Sequence, residues 1–218
     1  YFGPILARLG LGCAGVASSG RRGSRQDGFH ALRAVGVVGF TAMAFELVLI
    51  FAFQSVYGYV YRMIGPIVAL FMAGLACGGG AATRFAARLE GRCVRALAWV
   101  AAALAVHAAA IPWIVRLVSP IPAGSEWVFL ALVWGSGALT GAAFPLAAAV
   151  YLRRTAHTGR AAARVNGFDN LGACIGAFLA GVVFVPLLGL VSTCLLLAVM
   201  NAACAALLAA GERRDAAQ

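Results

Sequence analysis

Long apolar runs separated by short arginine-rich stretches set the pattern of this chain. The runs cover about Ala34–Val56, Ile64–Ala82, Ala96–Val115 and Val128–Tyr151, then a segment starting near Asn166 and a last one from about Leu190. Each is close to the roughly 20 residues that a helix needs to cross about 30 Å of hydrocarbon. Backbone amides in lipid must be satisfied within the segment, so runs of this length predict helices. The expected architecture is an all-α, polytopic membrane helix bundle of about six transmembrane helices, a transporter-like half. Ahead of it, Tyr1–Ala17 is apolar but broken by Arg8 and several glycines, and reads as an interfacial segment. Residues 18–33 follow as a basic linker, so that residues 1–33, 34–210 and 211–218 divide into lead-in, membrane domain and tail.

Composition agrees with the pattern. The chain is 63% hydrophobic and 11% charged with 27 Gly, far more apolar than a water-soluble core of 218 residues requires. Charge adds a direction. All 17 basic residues are Arg, four in each of residues 18–33, 84–95 and 153–164 and two in the tail, which leaves Arg62 and Arg116 for the opposite side and Arg8 unassigned. Such bias places the arginine loops and both chain ends on the cytoplasmic side. Tyr57, Tyr59, Tyr61, Trp113 and Trp127 fall where aromatic rings anchor the other interface. The net charge of +10 therefore reads as orientation and contact with anionic headgroups, and nucleic acid is not an expected partner.

Small residues recur at four-residue spacing, as in Gly74 and Gly78, Gly137 and Gly141, Gly172 and Gly176, and Ala177 and Gly181. That spacing lets helix backbones approach within one bundle. The second and fourth runs also look alike, each a small-residue helix running into an arginine cluster, which hints at an internal repeat of the kind transporters carry.

Few residues offer chemistry. Glu46 stands at membrane depth, where an ionisable group costs about 2.5–3.5 kcal/mol. At 100° per residue it shares a face with Phe53 and Tyr57, while Gln54 and Tyr61 share a neighbouring one. These five form a candidate pocket for a proton, a cation or a quinone-like headgroup; equally, a protonated Glu46 could bond a neighbouring helix. Asp169, with Asn166 and Asn170, is expected in the first turn of the fifth helix, as a cap or as a gate closing on Arg153, Arg154 or Arg164. His107 is the one histidine at membrane depth and reads as a core residue bonded to a helix carbonyl. It cannot alone form a bis-histidine haem site. Cys13, Cys77, Cys93, Cys174, Cys194 and Cys204 form no CxxC pair, and Gly78–Gly80 lacks the strand and the GK[ST] of a nucleotide loop. No catalytic residues, metal site or cofactor is expected.

The stretches GFTAMAFELVLIFAFQSVYGYVYRMIGPIVALFMAGLACG, GALTGAAFPLA and NGFDNLGACIGAFLAGVVFVPLLGLVSTCLLL together resemble the membrane region of bacterial fused spermidine-synthase-like proteins. The similarity spans about Gly39–Leu197, and the pattern FQxxYGYVYxxIG at Phe53–Gly65 is its most specific part. The resemblance implies a membrane domain beside a soluble aminopropyltransferase-like partner, anchoring it or exchanging a small cationic or lipophilic molecule. It carries over no catalytic site, because the family's glycine-rich nucleotide loop and amine-gripping acids are absent here. The opening residues resemble a linker out of such a domain. The alternative is a non-catalytic subunit of a respiratory or photosynthetic complex, contacting quinone, pigment or neighbouring subunits.

Overall fold

The computed structural model describes residues 25–58, 61–86, 92–118, 125–152 and 158–216. All regular structure among them is helical: α1 (Arg25–Tyr57), α2 (Ile64–Ala86), α3 (Cys93–Val118), α4 (Ser125–Leu152), α5 (Thr158–Phe178), a π-helical stretch (Leu179–Leu188) and α6 (Gly189–Ala216). Five stretches are long and apolar enough to cross a membrane, and the last of them, Ala162–Gly211, runs for 50 residues through α5, the π stretch and α6. The protein is therefore a helical membrane protein. Tyr1–Ala17, Tyr59, Arg153 and Arg154 lie outside the described residues.

Helix ends differ from the expected boundaries in two places. α1 begins at Arg25, inside the stretch read as linker, and α5 begins at Thr158, about three turns ahead of Asp169. Asp169 is thus an interior residue of its helix, and no acid lies in the first turn. α1 ends where a glycine is needed. Gly58 has φ of +73°, a conformation costly for other residues, and its N–H donates to Gln54 O at 2.9 Å.

Two core clusters mark the two ends of the bundle. One gathers Leu32, Ala82, Cys93, Tyr151, Val165 and Leu208; the other gathers Phe53, Ile67, Ile111, Phe129, Ala180 and Cys194. Successive helices therefore run in alternate directions. The chain also reverses between Ala180 and Cys194, where Gly189 leaves the helical path with φ of +79°. Exposed Arg33, Arg84, Arg92 and Arg164 sit at the first end, and exposed Tyr61, Trp113 and Trp127 at the second.

Packing arranges the helices in two layers. α2 packs closely on α4, α4 on α1 and α1 on α5, while α3 and α6 pack together behind them. The front layer thus reads α2, α4, α1, α5. Its two outer seams, α2 with α4 and α1 with α5, join helices running the same way and depend on glycine. A Cβ on Gly39 would collide with the carbonyl of Asp169, and one on Gly137 with that of Phe71; Gly74 would strike Trp134 O and Gly172 would strike Gly36 O; Gly78 would strike Ala138 O and Gly176 would strike Phe40 O.

These contacts reveal a repeat. Each pair of glycines is 98 residues apart (39 to 137, 74 to 172, 78 to 176), and so is each pair of carbonyls that they meet (71 to 169, 36 to 134, 40 to 138). Adding 98 carries α1 to α4 and α2 to α5 with these six contacts preserved and each helix direction reversed. α3 and α6 complete the correspondence by packing on each other. The bundle is an inverted repeat of α1–α3 and α4–α6 about an axis across the helices. The likeness between the second and fourth runs has a different origin: α2 and α4 are packing partners, and the repeat instead relates α2 to α5.

Candidate functional site

Gly39, Glu46 and Phe53 are seven residues apart on α1 and share one stripe. At one end of the stripe Gly39 lies against Asp169 of α5. At the other, Phe53 meets Phe129 of α4 edge-on with centroids 5.3 Å apart. The opposite side of α1 serves the rear layer, since Phe45 faces His107 of α3 at 6.0 Å and Thr41 faces Asn201 of α6. Glu46, half-buried near the middle of the helix, lies on this stripe between the Gly39 contact with α5 and the Phe53 contact with α4. The side of the layer that this stripe faces, between α4 and α5, is the candidate cleft.

α5 supplies its other wall. Asp169 fixes which flank faces the cleft, and at 100° per residue Asn166, Asn170, Ala173 and Ala177 lie on that flank. Exposed Phe168, Leu171, Ile175 and Phe178 lie on the opposite flank. Asn170 donates one amide hydrogen to Asn166 O at 2.9 Å, and its carbonyl stays accessible on the exposed side chain. Arg164 reaches the hydroxyl of Tyr151 at 3.4 Å.

The five residues expected as one pocket separate. Phe53 is fully buried and stacks on Tyr57 at 4.5 Å, with Phe129 completing an aromatic cluster; Gln54 is exposed on another face of α1, and Tyr61 is 92% exposed in the turn before α2. By helical spacing Glu46 faces the same side of the layer as Asp169, Asn166 and Asn170, which the sequence pattern assigned to a cap or a gate. Gly39 lies level with Asp169, and Glu46 is seven residues further on, so the two acids are spaced about 10 Å along the seam. Between the outer ends of α2 and α4 there is a separate open groove of ≈ 600 Å³, apolar throughout and walled by Trp127 and Trp134.

Two buried polar bridges tie the front layer to the rear. Ser136 donates to Leu132 O at 2.9 Å, so its oxygen accepts from His107 Nε2 at 2.8 Å, an arrangement in which the imidazole carries the Nε2 proton. The expected partner of His107 was a helix carbonyl, and the backbone of Leu132 supplies it, with the hydroxyl of Ser136 as a second partner. The second bridge runs from Asn201 Nδ2 to Thr41 Oγ1 at 3.1 Å, with the same amide also donating to Leu197 O at 2.8 Å. These residues are 160 positions apart, and only the polarity of two isolated side chains in apolar runs could have marked them. Among the described residues no group of three His, Cys, Asp or Glu side chains is placed to hold a metal.

Comparison with known protein families, curated proteins and solved structures gave no match to this chain. The two repeats, however, can be compared with each other. Adding or subtracting 98 sets Glu46 against Phe144, Asp169 against Phe71, Asn166 against Val68 and Asn170 against Met72. Every polar residue of the cleft on the α1–α5 side has an apolar counterpart on the α4–α2 side.

Proposed function

We propose that this chain is a six-crossing membrane domain, one half of a carrier-like assembly, whose α1–α5 cleft binds a small organic cation. The single observation that carries the reading is the contrast between the repeats. The same backbone contacts are made with Phe71 at the Asp169 position and Phe144 at the Glu46 position, so neither acid is needed to build its seam. An ionisable residue at that depth costs free energy and, when the scaffold does not require it, points to a ligand, a proton or water. The cleft holds two carboxylates and two amides and, among the described residues, no basic residue on the same flank, which suits a cation.

Support for six crossings comes from length and direction. A straight helix of 50 residues would extend about 75 Å, more than twice the hydrocarbon thickness. Reversal at Gly189 divides Ala162–Gly211 into an outward and a returning crossing. The described Arg33, Arg84, Arg92 and Arg164 at one end support a cytoplasmic position for that end. Resemblance to the membrane regions of fused spermidine-synthase-like proteins suggests an aliphatic polyamine as ligand and a soluble enzyme domain as neighbour.

Binding of labelled spermidine to the protein in nanodiscs tests the reading. Saturable binding that falls at least tenfold in Glu46→Gln and is kept in Phe144→Leu is the expected result. Equal binding by Glu46→Gln and the parent protein, or no saturable binding at all, would remove Glu46 and the amine from the account.

A further inference from the structure

The α2–α4 seam does not stay closed along its whole length. At Gly74 the helices touch backbone to backbone, with Trp134 O against the glycine, and from there they part toward the tryptophan end to leave the open groove of ≈ 600 Å³. Pro66, Ala69 and Leu70 of α2 form one wall, and Trp127, Ala131 and Trp134 of α4 form the other. We propose that this groove holds one acyl chain of a zwitterionic phospholipid of the phosphatidylethanolamine type, bound from the leaflet at that end. The inference goes beyond the cation cleft and needs only that the helices cross a membrane.

Depth and shape select the chain. Trp127 and Trp134 are seven residues apart on one stripe of α4, so the groove descends about 10 Å. That lies within the roughly 15 Å of hydrocarbon contributed by one leaflet. A helix of another protein is about 10 Å across and would not enter a wedge that closes to backbone contact within two turns, whereas a single hydrocarbon chain fits its taper. Left empty, the wedge would deprive its walls of neighbours. Its lining offers no hydrogen bond beyond the two indoles, so a polar solute would lose its partners on entering.

Charge at the mouth selects the headgroup. Exposed Arg62 precedes Pro66 by four residues, and half-buried Glu126 adjoins Trp127. A phosphate suits the guanidinium and an ammonium suits the carboxylate, so a headgroup carrying both matches the pair. Trp127, 76% exposed, has the amphipathic ring favoured at that level of a bilayer. The repeat again supplies a control. A shift of 98 sets Ala131 against Arg33 and Pro66 against Arg164, both exposed at the opposite end of the bundle. Equivalent backbone positions tolerate arginine there, so the scaffold does not impose apolar walls here.

Native mass spectrometry of the full chain in detergent, with phosphatidylethanolamine added back after lipid removal, tests the site. One adduct that saturates ahead of the rest is expected. Ala131→Phe and Ala69→Phe fill the groove from opposite walls at exposed positions, and each should weaken that first adduct about tenfold. Phosphatidylglycerol, which keeps the chains and the phosphate but lacks the amine, should bind more weakly. A graded series of adducts with no saturating first one, first-adduct binding unchanged in both variants, or phosphatidylglycerol held as tightly as phosphatidylethanolamine overturns the proposal. Fluorescence gives a reading without any change to the groove. In a chain carrying Trp99→Phe and Trp113→Phe, only Trp127 and Trp134 remain, and phosphatidylethanolamine brominated on its chain should quench them saturably at one lipid per protein. Quenching that keeps rising with added lipid is contrary to a defined site.

Discussion

The α1–α5 seam and the α2–α4 seam are one piece of engineering used twice. Both join helices that run the same way, both place glycines against the same carbonyl positions, and both have a rear-layer helix behind them. What differs is the front: Glu46, Asp169, Asn166 and Asn170 on one side, Phe144, Phe71, Val68 and Met72 on the other. The scaffold is indifferent to that exchange. Ordinarily a half-buried acid in a membrane helix is ambiguous between packing and function; here the molecule contains its own control, a copy of the seam in which the acid is missing and the packing persists.

The comparison is most easily broken at the glycines. Gly78→Ala and Gly176→Ala should each lower stability by about 1–3 kcal/mol or more, because the new methyl meets backbone, which cannot rotate away. Equivalence demands that the two losses be similar. Gly80 has open space around it, so Gly80→Ala should be neutral or stabilising by up to about 1 kcal/mol. Thermal melting of the purified protein, followed by size-exclusion elution, ranks the three. A tolerated Gly176→Ala beside a damaging Gly78→Ala would show that the seams are not equivalent.

Installing the counterpart residue sharpens the contrast instead. Asp169→Phe copies the Phe71 side of the molecule, where a phenylalanine is fully buried at the equivalent position. Melting should stay within about 1 kcal/mol of the parent, a volume change the seam already accommodates once. Amine binding should fall at least tenfold. Unfolding of Asp169→Phe would mean that the acid is part of the seam after all.

Much of this architecture was legible in the chain, and the reason lies in the solvent. Lipid forces each crossing into a helix of fixed minimum length, so the apolar runs located α2, α3 and α4 within a few residues, and among the described residues Arg33, Arg84, Arg92 and Arg164 lie at one end. The site was less visible. A helical wheel groups residues that share one helix, so it linked Glu46 to Phe53, Gln54 and Tyr57. It could not show that the stripe through Glu46 begins against α5 at Gly39 and ends against α4 at Phe53, because that depends on how helices cross. Asp169 was read as a cap or a gate at a helix start because Asn166 and Asn170 flank it, yet the polar stripe lies along an interior flank and the helix begins at Thr158. The repeat escaped notice for a related reason. Outside the glycines, equivalent positions hold residues as different as Asp and Phe, so its signal resides in which atoms touch.

The smallest effects are expected at the bridges between layers. Ser136→Ala removes the hydroxyl that accepts from His107, and Asn201→Leu removes the amide that donates to Thr41. Hydrogen bonds between membrane helices are worth about 0.6 kcal/mol on average and seldom exceed about 1.7. Thr41 keeps its bond to Val37 O at 2.7 Å when Asn201 is lost, so Asn201→Leu should fall at the lower end. His107 keeps its backbone partner at Leu132 when Ser136 is lost, so Ser136→Ala should cost about as little as Asn201→Leu, and replacing His107 with Leu in the same protein should recover part of the loss. That recovery is the decisive reading, because a bridge that merely fills space would show no coupling between the two positions in a double-mutant cycle.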